Sequence, residues 1–166
     1  MTVRRRDLLP LAALATLAGC GLRPLYGGAG HAVAEELGAI EVVAPKTRLG
    51  WLLADRLVGE LAAVTADVPR YRLVVRRLRR RRDALAVQLD DSVTRYELTL
   101  IAEFELLRLA DGVPLLRADL RRVASYNVLR QPWATRAAER DAERRAAGEL
   151  ARAIRNRLAL FFRARG

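Results

Sequence analysis

One cysteine, one histidine and one lysine occur in 166 residues, and aromatic side chains make up only 5%. Each shortage excludes something. A lone cysteine cannot close an intramolecular disulfide, so stability has to come from packing. The single histidine, His31, sits in the glycine- and alanine-rich stretch "GGAGHAVAEELG". That excludes Ser-His-Asp and Cys-His arrangements. Metal binding needs several convergent His, Cys or carboxylate ligands, and no cluster has that spacing. The neighbouring carboxylates Asp90 and Asp91 read as turn formers. Glu103 and Glu105 share a strand face and read as partners for arginines on adjacent strands. The chain is expected to be no enzyme, with no metal and no cofactor.

What is present at the front is a leader. Arg4-Arg5-Arg6 precede an apolar run, Leu8 to Leu17, broken only by Pro10 and Thr16. Ten residues at helical rise reach about 15 Å, half the hydrocarbon core of a bilayer, so the run cannot span one. A basic start, a short apolar centre and a small-residue exit describe an export signal. Leu17-Ala18-Gly19-Cys20 adds a thiol immediately after the small residues. A thioether to diacylglycerol needs a sulfur nucleophile, which explains why the one cysteine stands there. Residues 1–19 are expected as a lipoprotein signal peptide. Cys20 is the expected lipidation site, carrying diacylglycerol and an N-acyl chain such as palmitate. Arg5-Arg6-Asp7-Leu8-Leu9 also has the form of a twin-arginine signal, which leaves the export route open.

Positive charge is in excess, Lys+Arg 30 against Asp+Glu 19, for a net charge of +11. Such a surface attracts anions. Export leaves anionic lipids and phosphorylated glycolipids as partners and removes nucleic acid. No aromatic residue interleaves with the arginine run to stack bases. Within "RRLRRRRD", Arg76, Arg77, Arg79, Arg80, Arg81 and Arg82 are candidate anion ligands, because guanidinium forks suit phosphate. Their alternative reading is a solvated strand end or bulge. Arg130 and Arg136 flank Pro132-Trp133 at the start of the last helix, another site that favours anions. Equally, Trp133 could simply close the core there.

The middle and end of the chain read as one α+β domain, 39–166, preceded by an acylated N-terminus and flexible tether, 20–38. "AIEVVA" (39–44) is a short strand stopped by Pro45. Thr47 caps a helix with Leu49, Leu53, Leu57 and Leu61 on one stripe. From Tyr71 the period becomes two, interrupted by the arginine run and resumed at Leu85. Tyr96, Leu98, Leu100, Ala102, Phe104 and Leu106 define the clearest strand. Asp111-Gly112 predicts a hairpin. Leu116, Ala118 and Leu120 continue on the next strand until the alternation slips near Arg122, as at a bulge. A long helix runs from about Ala134 to Arg163. The order β-α-β-β-β-α predicts helices packed on one face of a mostly antiparallel sheet.

"LAGCGLRPLYG" and "ASYNVLRQPWATRAAERDAERRAAGELARAIRNRLALFF" (124–162) resemble LptE-type LPS-assembly lipoproteins, in particular their alphaproteobacterial branch. The resemblance implies two helices on a four-stranded sheet. It also implies residence on the periplasmic face of the outer membrane, where the protein would plug the LptD β-barrel and help deliver lipopolysaccharide to the cell surface. Cys20 carries over as the acylated residue, and Gly21 after it permits outer-membrane sorting. The resemblance further implies lipopolysaccharide contacts from basic residues near the central hairpin tip. Asp90-Asp91 stand there instead, so that contact does not carry over. The alternative function is a stand-alone periplasmic carrier lipoprotein for anionic glycolipid, which would need a sizeable apolar cavity.

Overall fold

A computed structural model describes residues 28–62, 68–87 and 93–165. In chain order they form α1 (Gly28–Gly38), β1 (Ile40–Val43), α2 (Arg48–Leu61), β2 (Tyr71–Val87), β3 (Val93–Arg108), β4 (Pro114–Asn127) and α3 (Pro132–Arg163). The signal peptide, Cys20 and the Asp90-Asp91 turn lie outside the described residues.

The four strands make one sheet in the order β1-β2-β3-β4. β1 runs parallel to β2, with Ile40 opposite Tyr71. The β2–β3 and β3–β4 pairs are antiparallel. The α+β class and the mostly antiparallel sheet match the sequence expectation. Period-two alternation dictates the faces of β3. Leu98, Leu100, Ala102, Phe104 and Leu106 are buried on the inner face, while Thr99, Ile101 and Glu103 point the other way.

α2 starts as its sequence predicts. The Thr47 side chain accepts a hydrogen bond from the Gly50 amide at 3.1 Å, satisfying a first-turn donor. Leu53, Leu57 and Leu61 are buried against the sheet. α3 contributes small residues higher up (Ala142, Ala146, Ala147, Ala151) and larger ones lower down (Leu150, Ile154, Leu158, Phe162). Alanine lets the helix lie close to the sheet, so the inner layer is packed without a wide gap. At the far end the Phe162 and Tyr71 rings meet at 5.1 Å between centroids.

Four expectations are corrected. Residues 28–38, expected within the tether, form α1. Leu37 is buried in the core and Val33 packs against it. Residues 32–166 form one compact unit; of the other, 1–31, only residues 28–31 are described. The arginine run does not interrupt β2, which continues through it with a bulge between Val75 and Arg77. No bulge occurs at Arg122; the β3–β4 register is unbroken there, and Arg122 occupies an inner-face position opposite Leu100. Its long aliphatic stem lets an arginine sit where the alternation calls for an apolar residue. Finally, Trp133 does not close the core, for it is 72% exposed.

Gly50 is a fixed point of the β1–α2 connection. A Cβ there would stand 2.0 Å from the Pro45 carbonyl oxygen, a clash between two backbone-anchored atoms. Gly50→Ala is therefore expected to lower stability by about 1–3 kcal/mol, the usual cost of overpacking. Chemical denaturation checks this, and an unchanged midpoint would contradict the packing described.

Candidate functional site

The bulge after Val75 shifts the side-chain alternation of β2 by one and divides the arginine run between the two sheet faces. Arg76, Arg77, Arg79 and Arg81 fall on the outer face. Arg80 and Arg82 fall on the helix side, opposite Leu100 and Leu98.

On the outer face the charges are matched strand to strand. Glu105, only 6% exposed, accepts from the Arg76 Nε at 2.7 Å and is also paired with Arg117 at 3.3 Å. Arg79 donates to Glu103 at 2.9 Å, with Arg77 at 3.6 Å from the same carboxylate. Arg81 pairs with Asp83 at 2.9 Å. This bears out the reading of Glu103 and Glu105 as cross-strand partners. Each of these four arginines already faces a carboxylate, although Glu103 and Glu105 are each shared by two arginines, so this surface is a partly neutralised polar zipper rather than a bare cationic patch.

The helix side differs. Glu143 of α3 is almost fully buried, at 1% exposure. It hydrogen-bonds Arg48, the first residue of α2, and Arg80 of β2, the latter at 2.6 Å. One carboxylate thus ties both long helices to the sheet. Burial works to raise the Glu143 pKa. The hydrogen bonds from Arg48 and Arg80 outweigh that and hold it below the ordinary carboxylate value. Arg80 also reaches Glu139 at 3.1 Å. Arg82 stacks over the Tyr96 ring at 4.7 Å.

Around Glu143 opens a cavity of about 660 Å³ lined by Arg48, Arg80, Arg136, Glu139, Arg140 and Glu143. Of the residues singled out from sequence, it brings together Arg80 and Arg136. It excludes Arg76, Arg77, Arg79, Arg81, Arg82 and Arg130 from its lining. Arg48, Arg140 and Glu143 escaped the sequence reading, although a signal existed. Glu143 lies on the helical stripe of Ala142, Ala146, Ala147 and Leu150, so periodicity put a carboxylate on the buried face. Such a group demands cationic partners.

An α+β sheet with its long helices on one face, found here, is shared with solved lipoproteins. A protein from Caulobacter crescentus CB15 described as a lipoprotein aligns at 31% identity and TM-score 0.67, covering 81% of this chain and 98% of its own. The minor lipoprotein of Acinetobacter baumannii aligns at 22% identity and TM-score 0.54, covering 73% and 88%. The rare lipoprotein B of Shewanella oneidensis aligns at 20% identity and TM-score 0.51, covering 72% and 91%. The last two likenesses are of fold. No curated protein matches the chain. The LptE lipopolysaccharide-assembly profile matches residues 37–158, and the chain belongs to this family.

A carboxylate whose pKa is depressed by folding adds stability above its ordinary value of 4.5. That contribution fades as pH falls through the lower folded value. Glu143→Ala, which leaves Arg48 and Arg80 without their shared partner, is expected to cost about 2 kcal/mol at neutral pH. The cost should be much smaller at about pH 3. Urea unfolding at the two pH values measures the difference, and an equal loss at both would contradict the ion-pair account.

Proposed function

We propose that this protein is an outer-membrane lipoprotein that serves as plug and accessory subunit of the LptD β-barrel in lipopolysaccharide transport, without enzymatic activity. Acylated Cys20 anchors it to the periplasmic leaflet, since two or more acyl chains hold firmly where one does not. Membership in the LptE family supports a role in lipopolysaccharide assembly.

The observation that carries the barrel partnership is the helix-free face of the sheet. It is built from long strands on which Arg76, Arg79 and Arg117 pair with Glu103 and Glu105 across β2, β3 and β4. Wide barrels have polar, water-lined interiors. Pairing of this kind lowers the cost of bringing these charges into such a lumen. A stand-alone lipid carrier would need an apolar cavity between helices and sheet. There Ala142, Ala146, Ala147 and Ala151 are fully buried in close packing, which favours the subunit reading.

Affinity isolation of the tagged protein from outer membranes in mild detergent is expected to recover a large β-barrel in near-equal amount. Recovery of the protein alone would contradict the proposal. Cys20→Ser is expected to be synthesised but lost from the membrane fraction and unlabelled by a fatty-acid probe. Unchanged membrane retention would contradict lipid anchoring.

A further inference from the structure

The cavity beside Glu143 has an electrostatic surplus. Its two carboxylates serve arginines already: Glu143 bonds Arg48 and Arg80, and Glu139 bonds Arg80. Arg136 and Arg140 line the same cavity, and neither forms an ion pair with any described residue. They are four apart on α3, so they share a helix face. Four guanidinium groups against two carboxylates leave the lining with two uncompensated positive charges. Both sit at the edge of a space wide enough for a solvated group.

Two further residues bear on what fills it. Trp51 and Trp133 are 70% and 72% exposed, an unusual position for the largest apolar side chain. Each stands three residues along its helix from a cavity arginine, Trp51 from Arg48 on α2 and Trp133 from Arg136 on α3. Three-residue spacing puts each pair on one helix face. A cationic cavity with an exposed indole one helical turn from a lining arginine on both helices suits a ligand that has an anionic head and an apolar or sugar body.

We propose that the cavity formed by Arg48, Arg80, Arg136 and Arg140 is a phosphate-monoester site, with Arg136 and Arg140 as the groups that ligate the phosphate and Trp51 and Trp133 flanking the remainder of the ligand. Buried Glu143 holds Arg48 and Arg80 in position and leaves their outward donors to face the anion. Guanidinium is suited to the role because its planar fork can give two parallel hydrogen bonds to phosphate oxygens. The site is distinct from the outer-face arginines of β2, each of which, unlike Arg136 and Arg140, has a carboxylate within ion-pair distance. It needs no barrel to form.

The test uses the unacylated full-length Cys20→Ser protein without detergent or a barrel partner, so that the lipid anchor does not itself bind vesicles. Inorganic phosphate is titrated by calorimetry, and vesicles containing phosphatidic acid are compared with vesicles of phosphatidylcholine alone. The double variant Arg136→Gln/Arg140→Gln is expected to weaken binding about tenfold or more, because it removes charge-assisted donors. Arg157→Gln/Arg163→Gln lowers net charge equally at the other end of α3 and is expected to leave binding unchanged. Saturation by inorganic phosphate that is lost only in the first variant identifies a site for free monoesters. Loss of vesicle binding only in that variant, with no response to inorganic phosphate, identifies a lipid headgroup as the source. Equal losses in both variants would show attraction to net charge and overturn the proposal, as would absence of saturable binding to either probe. Neither result would touch the barrel partnership, which co-isolation tests separately.

Discussion

The inner face of β3 has to be kept from water, and the rest of the architecture follows from that. Leu98, Leu100, Ala102, Phe104 and Leu106 lie on one side of a single strand and are at most 2% exposed. Burying that row is worth several kcal/mol, at about 25 cal/mol per Å² of apolar surface. A sheet with one apolar face needs cover on one side only. α2 supplies it through a leucine stripe and α3 through alanines that permit close approach. The opposite face is then free to be polar, and it is polar in an ordered way, with carboxylates on β3 facing arginines on both neighbouring strands.

Charge follows the same division. A net charge of +11 suggests a molecule bristling with free cations, yet most of the central arginine run is spent locally. The bulge at Val75/Arg77 decides where each side chain goes. Were β2 to run without the bulge, strict alternation from Val75 would put Arg80 and Arg82 on the outer face and Glu143 would lose its sheet partner. A one-residue change in register exchanges the two faces of a strand, so this irregularity shapes the site as much as any single side chain. Among the arginines left without a carboxylate, Arg136 and Arg140 share one cavity.

Much of this was legible in the sequence. The α2 cap at Thr47, the alternation of β3 and the Asp111-Gly112 hairpin each have a local cause, and each was found where its residues point. Gly112 indeed adopts a positive φ of 69°, the conformation that favours glycine there. Other features have non-local causes. The α1 helix has weak amphipathic character, and it is defined by Leu37 entering a core made by distant strands. Continuity of β2 through six arginines depends on acidic partners supplied by β3 and α3, which strand propensity alone does not reveal. Arg122 looked like a break in pattern because the alternation names polar and apolar types. The sheet needs only an aliphatic stem at that point. For the cavity, Arg80 and Arg136 were flagged by charge, but Arg48 and Arg140 become members only through the tertiary position of Glu143.

The central claim, that the helix-free sheet face meets a barrel wall, is open to a direct measurement. A photo-crosslinking residue placed in living cells at Val123, exposed on the outer side of β4, and at Thr99, on the outer face of β3, reports what lies against that surface. The account predicts an adduct shifted by the mass of a large outer-membrane barrel from at least one of these positions. Failure of both positions to form any barrel-sized adduct, with the protein folded and present in the outer membrane, would contradict it.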